Sequence, residues 1–395
     1  MAVHVSRTFL ISKFKDFFYF IQRRYRVKTK WATTRAKFPA TALALQNFDA
    51  TYSKQLGDVW PSVRVGMLSE QKYGALMNTF ASPDDAISDL HSRGCRDFIS
   101  VASSSDDGKN SHELLQKSEL HNHAATVDTF ETATACTRIS SNIQCLVFPR
   151  GDISRFKPAR PGNNGLLGYY LLDAASVLPV LALDVQPGHT VLDLCAGPGG
   201  KTLAILQSQA VRFLWANDLA GSRTARLRRT LQSYLPKEIL RIIHITSFDG
   251  RNWRNMDCTF DRVLVDVPCT TDRHSLMEEE NNIFKRARTK ERQKLPLLQT
   301  ELLLAGIQAT RPGGEVVYST CSLSHLQNEC VVEQAISVAR REMGITLHVQ
   351  DLGSFIQIFS GTFHFAPQTA TGVLVLPHLC ANFGPTYMCK LQRVS

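Results

Sequence analysis

Two cysteines follow two apolar segments in the C-terminal half of the chain. FDRVLVDVPC (260–269) carries Asp266 and Cys269 at its end, and VVYSTCS (316–322) carries Cys321. If both segments are strands of one sheet, their carboxyl ends can face the same crevice. A lone cysteine there is more often a buried structural thiol, but two of them beside a carboxylate suit nucleophilic chemistry. The spacing therefore predicts an active site with two thiols.

A glycine-rich turn precedes these segments. VLDLCAGPGGK (191–201) is an apolar strand ending at Asp193, and a helix opens at Thr202. Such turns let a ligand approach the backbone beyond the carboxyl ends of a doubly wound sheet. The P-loop pattern fails because residue 195 is Cys, and the dinucleotide pattern fails because its third glycine position is Thr202.

Two further acids stand at the ends of the next two predicted strands. Asp218 ends WAND, where a carboxylate accepts hydrogen bonds from ribose hydroxyls, and Asp249 follows the third strand, within reach of an adenine amino group. Each acid alone is equally consistent with a helix N-cap. Together with Asp193, they favour S-adenosylmethionine as the ligand.

Three motifs in this order, D-x-C-A-x-P-G-G-K, D-x-P-C and S-T-C-S, resemble the Sun-domain family of RNA cytosine-5 methyltransferases. The resemblance covers roughly residues 160–395. The longer strings PCTTDRHSLMEEENNIFKR and YSTCSLSHLQNE resemble the branch of that family that acts on mitochondrial ribosomal RNA. The resemblance thus implies 5-methylcytosine formation in small-subunit ribosomal RNA and a role in ribosome biogenesis.

The family resemblance implies a role for each catalytic residue. Cys321 adds as a thiolate to carbon 6 of cytosine, which makes carbon 5 nucleophilic toward a sulfonium methyl group. Cys269 assists the elimination that frees the product, and Asp266 hydrogen-bonds the N3/N4 edge of the flipped base. An ammonium at Lys201 would lower the pKa of a nearby thiol.

The resemblance also implies the residues that hold the methyl donor, through backbone contacts along the glycine-rich turn and through side chains at the strand ends. They are Cys195, Ala196, Gly197, Pro198, Gly199, Gly200, Lys201, Asp218, Arg223, Asp249, Gly250 and Asp266. The chain departs from the family pattern at Gly197, where much of the family has Ala. It also departs at Thr270 and Thr271, which replace a glycine-containing sequence.

The elements that must position these residues alternate along the chain from residue 165 onward. Helical patterns between apolar strands predict an α/β fold with a doubly wound, mostly parallel, Rossmann-like methyltransferase sheet. Strands are predicted at 190–194, 213–217, 241–245, 262–267, 315–319, 372–376 and 386–391, and helices at 169–182, 202–209, 220–234, 295–309 and 327–341.

Two regions precede this methyltransferase domain, which we assign to residues 161–395. Residues 39–160 predict a smaller, mainly helical N-terminal region, with a mobile polar loop near 100–142. No Cys-x-x-Cys pair occurs, so no metal site is predicted. No apolar run approaches the ~18 residues of a membrane span.

Most of the net charge of +10 lies in the first segment. Residues 1–38 hold ten of the 45 basic residues and one of the 35 acidic residues, which leaves 35 bases against 34 acids in the rest. This acid-poor segment, with apolar and basic residues interleaved, predicts a mitochondrial transit peptide and a location in the matrix. The alternative is a basic tail that binds RNA directly.

A nearly neutral body must hold RNA through local patches. The stretch 284–294 follows Cys269 closely and predicts phosphate contacts, although a solvated helix face is the alternative. The family resemblance implies a heterodimer with a helical-repeat protein of the mitochondrial transcription termination factor family and contact with mitochondrial ribosomal subunits. The RNA-binding residues that we predict are Lys285, Arg286, Arg288 and Lys290.

Two other functions compete with this interpretation. A ribosome-assembly scaffold whose methylation is secondary would also keep these motifs intact. A DNA cytosine methyltransferase is disfavoured, because the attacking cysteine there normally comes from the P-C motif and a second cysteine in T-C is unnecessary.

Overall fold

A computed structural model gives the fold of the protein. It describes residues 38–395 apart from 82–83, 101–131, 134–139, 141, 256–259 and 368. The predicted transit peptide lies outside the described residues except for its last residue, and so does most of the predicted loop at 100–142.

A nine-stranded sheet forms the larger part of the described chain. Its order is β3-β11-β13-β10-β9-β6-β7-β8, and β12 pairs with β13. The central strands β10, β9, β6, β7 and β8 are parallel, while β13 runs antiparallel to β10, β11 and β12. Its strands are β3 (Thr132–Ala133), β6 (His189–Asp193), β7 (Val211–Asn217), β8 (Ile243–Thr246), β9 (Phe260–Asp266), β10 (Thr310–Thr320), β11 (Leu347–Gln350), β12 (Val373–Val375) and β13 (Thr386–Arg393).

Helices cover this sheet, as the alternating pattern predicts. In the part of the chain that the structure describes, no helix is long and apolar enough to cross a membrane. The helices of this region are α4 (Leu178–Leu183), α5 (Gly200–Gln207), α6 (Gly221–Tyr234), α7 (Lys237–Leu240), α8 (Asp272–Met277), α9 (Thr289–Ala309), α10 (Glu329–Glu342) and α11 (Gly353–Phe359).

The centre of the sheet is apolar because helices lie against both of its faces. Val263, Leu264 and Val265 of β9 are fully buried. A strand buried on both sides is an unbroken apolar run rather than an alternating one, which is the pattern of this segment. The predicted doubly wound, Rossmann-like sheet is confirmed.

The N-terminal region combines helices with a second sheet. Helices are present as the pattern predicts, but Gly74–Met77, inside the part expected to be helical, is a strand of a four-stranded antiparallel sheet of order β2-β4-β1-β5. The sequence does not predict this sheet, because its strands are only two to four residues long. The elements are α1 (Ala40–Leu56), α2 (Trp60–Leu68), α3 (Asp84–Ser92), β1 (Gly74–Met77), β2 (Arg96–Asp97), β4 (Cys145–Val147) and β5 (Tyr169–Leu172).

The helix predicted over 169–182 is wrong in its first five residues. Tyr169–Leu172 is strand β5 and pairs antiparallel with β1, and helical structure begins only at Ala174. The run YYLL suits a strand through its aromatic residues, and pairing with β1 decides between the two conformations. Strand β5 thus joins the second sheet although it follows residue 160.

Helix α1 is fixed against the segment that follows Cys269. Glu279 accepts the backbone N–H groups of Ala40 and Thr41, each at 2.9 Å, and so satisfies donors that a helix start leaves free. The ring of Phe48 meets that of Phe284 edge to face, with centroids 5.1 Å apart. The N-terminal helix is therefore part of the wall behind the predicted active site.

Candidate active site

The register of two parallel strands brings the two cysteines together. Asp266 at the end of β9 pairs with Ser319 near the end of β10, so the loops beyond both strands leave the sheet at the same edge. The Sγ atoms of Cys269 and Cys321 lie 3.2 Å apart. Cys321 is exposed at this edge, and Cys269 is half-buried. The predicted proximity of the two thiols is thus present in the structure.

The two thiols ionise as one unit. The hydrogen bond between them lowers the pKa of Cys269 and raises that of Cys321 well above the ordinary thiol value. Physically, the remaining thiol donates to the first thiolate, while a second negative charge this close is repelled. The arrangement therefore favours a state with one proton shared between the sulfurs.

Asp266 is held from two sides at the end of β9. Its Oδ2 accepts a hydrogen bond from Lys201 Nζ at 2.9 Å, and its Oδ1 accepts one from Ser319 Oγ at 2.7 Å. Burial lowers the pKa of Lys201, but the charge of Asp266 and its hydrogen bond outweigh burial, so the pKa is raised. Lys201 therefore stays cationic, with Asp266 as its hydrogen-bond partner.

The glycine-rich turn joins β6 to α5, and Asp193 lies at its start. The residue Asp193 is 1% exposed; its Oδ2 accepts a hydrogen bond from Thr202 Oγ1 at 2.7 Å, whereas its Oδ1 has no partner among the described residues. Burial raises the pKa of Asp193 to about 7. A buried acceptor left open beside a glycine turn suits a ligand that brings a hydrogen-bond donor.

Gly197 lets the turn approach the end of β7. Its N–H donates to Asp218 Oδ2 at 3.1 Å, and Arg223 lies 3.2 Å from the same oxygen. A Cβ at position 197 would lie 2.6 Å from Asp218 Oδ2 and 2.8 Å from Arg223 Cβ, which is closer than contacts allow. Asp218 and Arg223 therefore lie directly against the turn.

The structure gives Asp249 and Gly250 different surroundings. The Asp249 carboxylate pairs with Arg251 at 2.6 Å, and Arg251 also reaches Glu301 at 2.8 Å. A Cβ at Gly250 would lie 3.0 Å from a methyl of Leu302, so this glycine is packed against the core. Asp249 remains a candidate for adenine binding, while Gly250 makes room for apolar packing.

The predicted RNA-binding stretch divides into exposed and engaged residues. Lys285, Arg286 and Lys290 are exposed. Arg288 instead pairs with Glu291 at 2.6 Å, three residues further along the chain. Three of the four predicted cations are therefore available to a phosphate backbone, and the guanidinium of Arg288 is already occupied.

Sequence reasoning missed the polar residues that hold the two cysteine loops. Ser319 and Arg251 each bind an acid of the site, and a buried hydrogen-bond network underlies both cysteines. The only local signal is the polar run that follows each cysteine, TTD after Cys269 and SLS after Cys321. The network consists of Tyr52, Thr270, Asp272, Gln299, Ser322, Gln327 and Asn328.

Two solved structures share the fold of the protein. NSun6 from Pyrococcus horikoshii, determined with SFG, matches with a TM-score of 0.54 and 18% sequence identity, over 87% of this chain and 97% of that chain. A methyltransferase homolog protein from the same organism matches with a TM-score of 0.52 and 18% identity, over 91% of this chain and 99% of the other. The fold is that of a Rossmann-like methyltransferase.

Sequence comparison then gives the family. The model of the 16S rRNA methyltransferase RsmB/F family matches residues 180–373. The 5-cytosine rRNA methyltransferase NSUN4 of Bos taurus is 54% identical over 95% of both chains, and that of Mus musculus is 55% identical over 95% of this chain and 94% of its own. A mitochondrial tRNA (cytosine(34)-C(5))-methyltransferase of Mus musculus is 35% identical over 89% of this chain and 90% of its own. The chain belongs to the RsmB/F methyltransferase family.

Proposed function

We propose that the protein methylates carbon 5 of a cytosine in small-subunit ribosomal RNA, with S-adenosylmethionine as the methyl donor. The observation that carries this proposal is the 3.2 Å separation of the Cys269 and Cys321 Sγ atoms beside Asp266. The relatives named 5-cytosine rRNA methyltransferase, which align along almost the whole chain, support the RNA and the base.

The glycine-rich turn and the strand ends around it suit S-adenosylmethionine. Asp193 has a buried carboxylate oxygen that finds no partner among the described residues and can accept from a donor group of the ligand. Gly197 keeps side-chain atoms away from the turn. Asp218 and Arg223 would hold the ribose, and Asp249 the adenine amino group. When bound, S-adenosylmethionine supplies an electrophilic methyl group to carbon 5 of the base.

Cys321 acts as the nucleophile in the first step. Its thiolate adds to carbon 6 of cytosine and forms an S–C6 bond, and the electron pair of the C5–C6 double bond moves into the enamine system. Cys269, the thiol of lower pKa, takes the proton of the Cys321 thiol as the attack begins and passes it to solvent before the release step. Asp266 accepts a hydrogen bond from the N3/N4 edge of the base and stabilises the proton that N3 takes up from solvent as negative charge builds on the ring, and Lys201 keeps this carboxylate in place.

Cys269 acts in the release of the product. After methylation, carbon 5 carries both a methyl group and its original proton, and the base regains aromaticity when that proton leaves and the S–C6 bond breaks. Cys269 assists this elimination as a base, and Cys321 departs as a thiolate. The short contact between the two sulfurs supports this division of roles, because one group can take a proton while its neighbour leaves.

The RNA reaches this site in the mitochondrial matrix with help from a partner. The basic segment 1–38 would direct import, and Lys285, Arg286 and Lys290 would contact phosphates beside the active site. Since the body of the protein is nearly neutral, additional affinity would come from a mitochondrial transcription termination factor family protein in a heterodimer, in the setting of the mitochondrial ribosomal subunit.

Methyl transfer to defined transcripts tests this function. The wild-type protein, with labelled S-adenosylmethionine, is expected to place label on carbon 5 of cytosine in small-subunit ribosomal RNA, as mapped by bisulfite sequencing. Cys321→Ala is expected to transfer none. Full activity of Cys321→Ala would overturn the assignment of Cys321 as the nucleophile. Label on another atom, or only on tRNA, would overturn the proposed substrate.

A further inference from the structure

A buried carboxylate lies beneath the loops that carry the two cysteines. Asp272 comes three residues after Cys269 and is completely buried at the start of α8. Its backbone N–H donates to the carbonyl oxygen of Cys321 at 3.2 Å, which ties the loop after β9 directly to the loop after β10. The side chain of Asp272 therefore lies where both cysteine loops meet.

Donors from both loops converge on this carboxylate. Thr270 Oγ1, on the Cys269 loop, donates to Oδ1. From the Cys321 loop, Ser322 Oγ lies 3.1 Å from Oδ1, and the Leu323 N–H donates to Oδ2 at 2.7 Å. Tyr52 of helix α1 donates its hydroxyl to Oδ2 at 2.8 Å. Four donors thus satisfy one carboxylate, and they come from three separate parts of the chain.

A second layer holds the donors themselves. Gln327 Nε2 donates to Thr270 Oγ1 at 3.0 Å, and its Oε1 accepts the Thr270 N–H at 3.1 Å. Gln299 of α9 donates to Gln327 Oε1 at 3.1 Å and to the Pro268 carbonyl at 2.8 Å. All of these side chains are buried. Of the side-chain polar atoms named here, Gln299 Oε1 alone has no partner among the described residues. A buried network with this many hydrogen bonds has little freedom to change shape.

We propose that Asp272 is the positioning residue that holds the two cysteine loops at the separation the reaction needs, and that Tyr52 connects it to the N-terminal region. Asp272 does not act on the base itself. The departure from the family pattern at Thr270 has a consequence here, because the threonine hydroxyl is one of the four donors. The effect on methyl transfer rests on the proposed function, whereas the effect on thiol separation does not.

The effective concentration of the two thiols measures this positioning directly. Glutathione disulfide oxidises Cys269 and Cys321 to one intramolecular disulfide and is itself reduced to two glutathione thiols. The equilibrium constant of this exchange is the effective concentration of one thiol at the other. Peptide mapping by mass spectrometry separates this disulfide from those of the other cysteines, and the assay needs no RNA.

Asp272→Asn keeps the size of the side chain but removes an acceptor that the network requires. We expect it to lower the effective concentration by about tenfold or more, and kcat by a similar factor, with KM for S-adenosylmethionine unchanged within about twofold. Asp97→Asn is the matched control: Asp97 is also buried and accepts the N–H groups of Ile99 and Cys145, but it lies in the second sheet. It should leave the effective concentration unchanged.

An effective concentration that stays within about twofold of wild type in folded Asp272→Asn would overturn the proposal. If Asp272→Asn does not fold, Ser322→Ala and Tyr52→Phe decide instead, since each removes one donor and keeps the carboxylate. Both are expected to lower the effective concentration, and no change in either would overturn positioning by this network. If the wild-type protein methylates no cytosine while Asp272→Asn still lowers the effective concentration, the proposed function is overturned but the positioning role of Asp272 stands.

Discussion

The sulfur atoms of Cys269 and Cys321 lie 3.2 Å apart at the ends of two neighbouring parallel strands. This distance exceeds the length of a disulfide bond, which is about 2.05 Å, but it is short enough for one thiol to donate to the other. The two residues are far apart along the chain, and the register of β9 against β10 brings them together. A reaction that needs a nucleophile and an adjacent proton acceptor has both groups here.

The shared proton predicts how the thiols respond to pH. In the wild-type protein the first thiolate is stabilised by the neighbouring thiol, so the first alkylation by iodoacetamide should show a lower apparent pKa than in either single variant. Cys269→Ala and Cys321→Ala each remove that donor. If both variants react with iodoacetamide at the same apparent pKa as the wild-type protein, the two thiols ionise independently and the prediction is wrong.

Exposed cations beside the active site predict salt-dependent RNA binding. Replacing Lys285, Arg286 and Lys290 together by Ala should lower affinity for single-stranded ribosomal RNA and reduce the slope of log affinity against log salt by about 2. Exposed Arg340 and Arg341, in the last turn of α10, provide the control pair. Equal effects of the triple variant and the control pair would contradict a local RNA surface.

Asp193 predicts a pH dependence of stability. Its pKa is raised in the folded protein to about 7, so the unfolded chain releases this proton at lower pH than the native state does. Stability is therefore lost as pH rises from about 4 to about 7. Asp193→Asn should remove this loss, with a difference in slope of up to about 1.4 kcal/mol per pH unit in urea unfolding curves. Parallel curves for the two proteins would contradict the prediction.

Thr271 has a backbone conformation that suits glycine. Its φ is 47° and its ψ 63°, in the left-handed region, which is costly for a β-branched residue. Thr271→Gly should therefore raise the free energy of unfolding by up to about 1 kcal/mol, once the entropy cost of glycine in the unfolded chain is subtracted. Thr289→Gly, at a helical position with φ of −57°, should lower it. Destabilisation by Thr271→Gly would contradict this strain.

The sheet and the strand-end residues could be predicted because their signals are local. An apolar run followed by an acid, a glycine turn or a cysteine shows where a parallel strand ends, and the ends of neighbouring strands face one crevice. Asp193, Asp218 and Cys321 all follow this rule. Short strands carry no such signal, since two to four residues cannot show a period. The second sheet therefore follows only from its strand pairing, and the sequence pattern over β5 predicts a helix where a strand forms.

The hydrogen-bond network behind the site could not be predicted either, and the reason is different. Tyr52 meets Asp272 across 220 positions of sequence, and nothing near either residue indicates the other. Gly250 illustrates the same limit, because nothing near it in the sequence indicates that Leu302 and Leu194 lie where its Cβ would be. Which partner a buried polar residue finds is decided by packing.

The covalent bond between Cys321 and RNA tests the central claim most directly. Cys269→Ala should methylate the base but fail to release it, so that a protein–RNA adduct resistant to denaturation accumulates when S-adenosylmethionine and ribosomal RNA are supplied. The double variant Cys269→Ala/Cys321→Ala should form none. An adduct confined to the single variant is the result that we predict. Its absence under turnover conditions, or its persistence in the double variant, would contradict the assignment of the two cysteines.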